Sequence, residues 1–131
     1  MLCDPEMTRN ELDRLAERVI GLAIEVHRAL GPGLLEGLYE AALCIELRNV
    51  GLEFERQKTL PVSYKGHGIG DFRLDLVVEK AVLLELKSVE RYDAVFEAQV
   101  ISYLAISGMR LGLLINFNTR LLKDGIKRFI L

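Results

Sequence analysis

The spacing of apolar residues changes along the chain, and each spacing implies an element. Leu12, Leu15, Val19, Ala23, Val26 and Leu30 recur at steps of three and four, one stripe of an amphipathic helix. Thr8-x-x-Glu11 just upstream is a capping-box pattern that opens it. Gly31-Pro32-Gly33 stops it, because glycine tolerates positive φ and proline has no N–H to donate. A second helix is expected over about 34–49, with Gly51 as its stop. The period then falls to two. Residues 52–64 read as an extended, broken strand in which Pro61 implies an edge or a bulge. A turn over 65–68, a strand over 69–78, a short turn at Glu79-Lys80 and a strand over 81–87 follow. A third helix spans about 93–107 and ends at Gly108. The run from Leu111 to Phe117 is almost wholly apolar, as in a strand buried on both faces, and residues 127–131 form a last short strand. The order ααβββαβ(β) predicts a mixed α/β fold: a mixed sheet flanked by helices.

Composition narrows the class. The 131 residues are 50% hydrophobic and 27% charged, which suits one domain over 1–131 with residues 1–10 as an N-terminal extension. Cys3 and Cys44 make neither a disulfide framework nor a zinc site. The N-terminus has no signal pattern and no apolar run reaches membrane-spanning length, so a cytoplasmic protein is expected, without a membrane partner. The net charge of −2 argues against a basic coat. It is uneven, however: residues 1–64 carry 11 acids and 7 bases, residues 65–131 carry 8 acids and 10 bases. Arg120, Lys123, Lys127 and Arg128 crowd the end, either as solvated charge or as a phosphate-facing patch.

The sharpest chemistry lies in the central hairpin. Alternation puts Asp71, Arg73 and Asp75 on one face of their strand, and Glu85 and Lys87 on one face of the next. Charges in the middle of such apolar strands are costly unless paired or bound to metal. Two carboxylates and a lysine converging from adjacent strands could hold Mg²⁺ or Mn²⁺ through hard oxygen ligands. The competing reading is a cross-strand Asp75–Lys87 ion pair with Glu85 facing solvent. Register discriminates. A regular two-residue turn at Glu79-Lys80 would put Glu85 on the face opposite Asp75, so a joint site requires an odd-length turn or a bulge.

Five motifs occur in order: Gly33-x-x-Glu36-x-x-Tyr39 preceded by Val26-His27-Arg28-Ala29-Leu30-Gly31-Pro32; Asp75; Glu85-Leu86-Lys87; Gln99-x-x-x-Tyr103-Leu104; and Gly112-Leu113-Leu114-Ile115-Asn116-Phe117. Together they resemble the GxxExxY protein family of the PD-(D/E)XK nuclease superfamily, over about residues 12–130. The resemblance implies a restriction-endonuclease-like core. It implies that Asp75 and Glu85 hold metal, that Lys87 is the catalytic lysine, and that Glu36 is a helical acid completing the site. Gln99 and Tyr103, four apart and so on one helix face, resemble a Gln-x-x-x-Tyr nuclease motif that positions the scissile strand. Relatives often carry a histidine three residues before that glutamine; here Phe96 stands there. His27 and His67 read as structural and solvent-exposed, respectively.

These readings combine into a Mg²⁺- or Mn²⁺-dependent nuclease acting on DNA, with RNA as the less favoured alternative. Tyr39, Arg73, Gln99, Tyr103, Lys123, Lys127 and Arg128 are the expected nucleic-acid contacts, and a homodimer could widen that surface. The rival is a non-catalytic nucleic-acid-binding or assembly module that keeps the nuclease fold.

Overall fold

The computed structural model describes residues 7–131. Cys3 and most of the expected N-terminal extension lie outside the described residues. The extension does not reach residue 10: α1 runs Arg9–Leu30, and Met7 already packs against the core. Its start is the capping box read from sequence. Glu11 N–H donates to Thr8 Oγ1 and Thr8 N–H donates to Glu11 Oε2, each at 3.1 Å. The stripe from Leu12 to Val26 is buried, while Leu30, its last expected member, is exposed where the helix leaves the sheet. Gly31, at φ 72°, turns the chain out.

Helix α2 is Glu36–Asn49 and α3 is Val95–Ser107, each beginning two residues later than the sequence pattern suggests. For α3 the cause is local: Asp93 Oδ1 accepts from Val95 N–H at 2.9 Å and ends the preceding loop. The sheet has order β1-β2-β3-β4-β5, with β1 Phe54–Tyr64, β2 His67–Val78, β3 Val82–Lys87, β4 Leu111–Asn116 and β5 Ile126–Ile130. β1 is an edge strand, as Pro61 implied, and a bulge follows Val62. β3 and β4 are parallel, joined across one face by α3; the other pairs are antiparallel. A short 3₁₀ turn at Leu122–Gly125, not legible beforehand, leads into β5 and buries Leu122.

Two apolar layers sandwich this sheet. α1 and α2 pack on one face against Leu76, Val78, Leu84 and Leu86; α3 packs on the other against Val77, Leu83 and Leu114. β4 is buried along its whole length, which is why its sequence shows no alternation.

The turn after β2 determines the site. Pairing runs Val78↔Val82, Val77↔Leu83 and Leu76↔Leu84, leaving Glu79, Lys80 and Ala81 between the strands. The turn therefore has an odd number of residues, with Glu79 and Lys80 at φ 52° and 54°. That is the register a joint Asp75–Glu85 site requires.

Candidate metal centre

Backbone pairing of β2 with β3 stops at Leu76↔Leu84, and one step on the side chains replace it. Leu86 N–H donates to Asp75 Oδ2 at 2.8 Å, and Asp75 N–H donates to Glu85 Oε1 at 3.3 Å. The strands part at a notch whose amides are satisfied by the two carboxylates. Glu85 is only 7% exposed, which excludes the solvent-facing alternative. No described acid lies within ion-pair distance of Lys87, so the Asp75–Lys87 bridge is not formed either. Lys87 Nζ instead lies 4.6 Å from the centre of the Phe96 ring, where the aromatic face attracts the ammonium. Phe96 is thus the platform of the lysine.

Enclosure makes the carboxylates weak acids. Burial, with the Asp75 charge adding to it, pushes the Glu85 carboxyl up to about 8. Burial also raises Asp75, helped by the charge of Glu40 and opposed by the Leu86 N–H bond. Glu36, at the first turn of α2, is raised by burial and then by Asp75. The Lys87 charge pulls all three down. Asp75, Glu85 and Glu36 are hard oxygen donors whose repulsion a divalent cation would relieve, so the donor set suits Mg²⁺ or Mn²⁺. The expected three-acid centre is not preassembled, however. Among the described residues no three His, Cys, Asp or Glu side chains are gathered closely enough to hold a metal ion. The oxygens of Asp75 and Glu85 bond backbone amides, and Glu36 stands off from them.

The other expected site residues divide. Tyr103 stacks on Phe72 of β2 (centroids 4.7 Å apart, 11° between planes), and burial together with the Glu85 and Asp75 charges raises its phenol. It packs in the apolar layer between α3 and the sheet. Gln99, one helical turn earlier, is exposed and without a side-chain hydrogen bond among the described residues. Arg73 is exposed, lining an open groove of ≈ 480 Å³ with Gln57, Thr59, Asp71 and Phe72. The expected shared face of Arg73 and Asp75 is interrupted. Leu74 packs toward α3 but Leu76 toward α1 and α2, so the alternation slips at Asp75 and turns it inward.

One expected nucleic-acid contact is corrected, and two others are engaged in surface ion pairs. Tyr39 is wholly buried: its O–H donates to Gly31 O at 2.5 Å, accepts from Leu34 N–H at 3.0 Å, and its ring stacks on Phe117. It shapes the loop before α2 and cannot touch a substrate. Lys127 pairs with Glu97 at 2.7 Å and lies over the Tyr92 ring, and Arg128 reaches Asp13 at 3.4 Å. Lys123 keeps an exposed position beside a ≈ 540 Å³ groove with His27, Arg28 and Arg120. His27 is structural, its Nε2 2.8 Å from Thr119 O. A third groove, ≈ 820 Å³ between Arg48, Phe54, Lys58 and Glu79, contains none of Glu36, Asp75, Glu85 or Lys87.

Sequence reasoning missed Glu40, Arg56 and Gln57. Glu40 is 5% exposed and accepts from Arg56 Nε and Gln57 Nε2, each at 2.7 Å. Its position four after Glu36 was the available signal, since both then share one face of α2. Nothing in the sequence marks Gln57 as left-handed, at φ 55°.

A sequence model of the PD-(D/E)XK nuclease superfamily matches residues 13–129, nearly the whole chain. The chain belongs to the PD-(D/E)XK nuclease superfamily. The pattern in the superfamily's name is met at Asp75 and at Glu85-Leu86-Lys87, with Leu74 in the place of the proline. The five-stranded mixed sheet with helices on both faces is the restriction-endonuclease-like architecture that this membership carries. No curated protein and no solved structure matches the chain. Within the described residues no helix is long and apolar enough to cross a membrane.

Proposed function

We propose that this superfamily domain is a nuclease of the GxxExxY type, hydrolysing phosphodiesters of DNA, and secondarily RNA, with Mg²⁺ or Mn²⁺. The reading is carried by one observation: the half-buried Asp75 and buried Glu85 carboxylates are tied across the β2–β3 notch by backbone amides, with Lys87 two residues beyond Glu85. Asp75 and Glu85, with Glu36 from α2, would hold the cation. When bound, it would offset the negative charge of the scissile phosphate and make a water at the site a better nucleophile. Lys87 orients that water or neutralises charge developing on the phosphate, and Phe96 limits where its ammonium can go. Tyr103 and Gln99 of α3 would contact the substrate backbone, and the exposed Arg73 and Lys123 would offer it cations.

Lys87→Ala tests the assignment. Cleavage of DNA in Mg²⁺ or Mn²⁺ is expected to be lost while circular dichroism and melting temperature are kept. Undiminished metal-dependent cleavage by that variant would overturn it. A second reading is a module that keeps the fold and binds without cutting; the amides that already occupy one oxygen each of Asp75 and Glu85 favour it. Calorimetric titration separates the two, because the module binds no metal at millimolar concentration.

A further inference from the structure

Glu40 is a buried charge that the proposed chemistry does not use. Both of its oxygens are engaged, Oε2 by Arg56 and Oε1 by Gln57. Its two partners are consecutive residues of β1, and the second has a backbone conformation that a side-chain-bearing residue rarely adopts, φ 55°. The pairs on either side are Arg56↔Leu76 and Lys58↔Leu74, which places Gln57 across from Asp75. Strain of this kind survives where the surroundings enforce it, and here it coincides with the amide bond to Glu40. Glu36 lies one helical turn before Glu40 on the same face of α2. The Glu40 bonds therefore tie the turn carrying the helical acid to the strand position facing the sheet acid.

We propose that Arg56, Glu40 and Gln57 form a positioning strut that sets the reach from Glu36 to the Asp75–Glu85 pair and so determines which divalent cation the centre prefers. The inference rests on the metal-centre reading above. The bonds from the Leu86 and Asp75 amides to the two carboxylates fix Asp75 relative to Glu85, but Glu36 comes from a helix in another layer. Its distance from the pair depends on how α2 is held. Mg²⁺ needs near-ideal octahedral geometry with short bonds, whereas Ca²⁺ accepts longer and less regular ones. A rigid strut favours the small ion, and a loosened one lowers that preference.

The experiment is calorimetric titration of Mg²⁺ and Ca²⁺ into the wild type, Glu40→Ala and Gln57→Gly, with each substitution repeated in a Glu36→Gln background. Removing such a support typically weakens metal binding about tenfold or more. Mg²⁺ affinity is expected to fall by that factor in both variants, with a smaller change for Ca²⁺. The loss should vanish in the Glu36→Gln background, because the strut acts through Glu36. Gln57→Gly keeps the test open if Glu40→Ala folds poorly, since glycine adopts the left-handed conformation without strain. Relief of that strain partly offsets the lost hydrogen bond, so its melting temperature should fall less than that of Glu40→Ala while its Mg²⁺ affinity falls. Equal losses for both cations, or losses that persist without Glu36, would reduce the strut to ordinary packing and overturn the inference. A wild type that binds metal while neither variant differs from it overturns the strut alone. A wild type that binds neither cation overturns the metal centre and the strut together.

Discussion

Glu85 concentrates the electrostatic conflict of the site. Burial first, and the Asp75 charge second, push its carboxyl from 4.5 up to about 8. A raised acid binds its proton more tightly in the folded chain than in the unfolded one. Folding is therefore favoured at low pH, and that contribution is lost as pH rises from 4.5 through about 8. Asp75 and Glu36 are raised as well and act with the same sign. The metal-free protein should melt at progressively lower temperature across this window. Glu85→Gln, which cannot ionise, should flatten the slope, as thermal melts in a chelator can show. A slope unchanged by that substitution would place the strain elsewhere. The sequence showed which residues carry charge in the hairpin. It did not show that Glu40 and Gln57 stand behind them, because a left-handed glutamine has no signature in residue spacing.

Among the elements, the link between α1 and α2 depends on a side chain that its motif alone would assign to substrate. Tyr39 ties Gly31 O and Leu34 N–H together and stacks on Phe117 at 4.4 Å, with 7° between ring planes. Tyr39→Phe keeps the ring and removes both bonds, leaving the Leu34 amide without its partner. A loss of about 1–3 kcal/mol is expected from urea denaturation; a surface substrate contact would show none. The helices and strands themselves were legible from periodicity, and the boundaries that moved did so where hydrogen bonds hold the preceding loops. Asp93 holds Val95 N–H, and the loop before α2 is bound by Tyr39 and by Ser88, whose hydroxyl donates to Leu34 O. The odd-length turn after β2 was legible only conditionally: a joint site demanded it, but Glu79-Lys80 does not announce two left-handed residues. Asn116 holds the chain after β3 in the same way, exchanging bonds with both polar groups of Val89.

For the whole molecule, a cation at the notch should act as a ligand of the folded state alone. At about a hundredfold excess over its dissociation constant, such a ligand stabilises by about 2.7 kcal/mol. Mg²⁺ should therefore raise the melting temperature without any nucleic acid present, and Asp75→Asn should abolish the rise. An equal rise in that variant would mean the metal binds elsewhere. The basic surplus of the second half had suggested a phosphate-facing patch. Folding consumes part of it, since Lys127 and Arg128 are matched to Glu97 and Asp13, residues far away in sequence. Such pairings depend on which surfaces meet, which a count of charges does not contain.

Sequence alone determined the element order, the two-layered burial of the sheet and the membership of Asp75, Glu85 and Lys87 in one motif. Those properties depend on local periodicity and on the order of residue types along the chain. Tertiary structure decided the rest: that Asp75 and Glu85 meet in register, that Phe96 supports Lys87, that Tyr39 is buried, and that Glu40, Arg56 and Gln57 tie α2 to the strand beside the acids. Each is a contact between residues far apart in sequence or a backbone conformation enforced by its surroundings, and neither leaves a local trace for spacing to reveal.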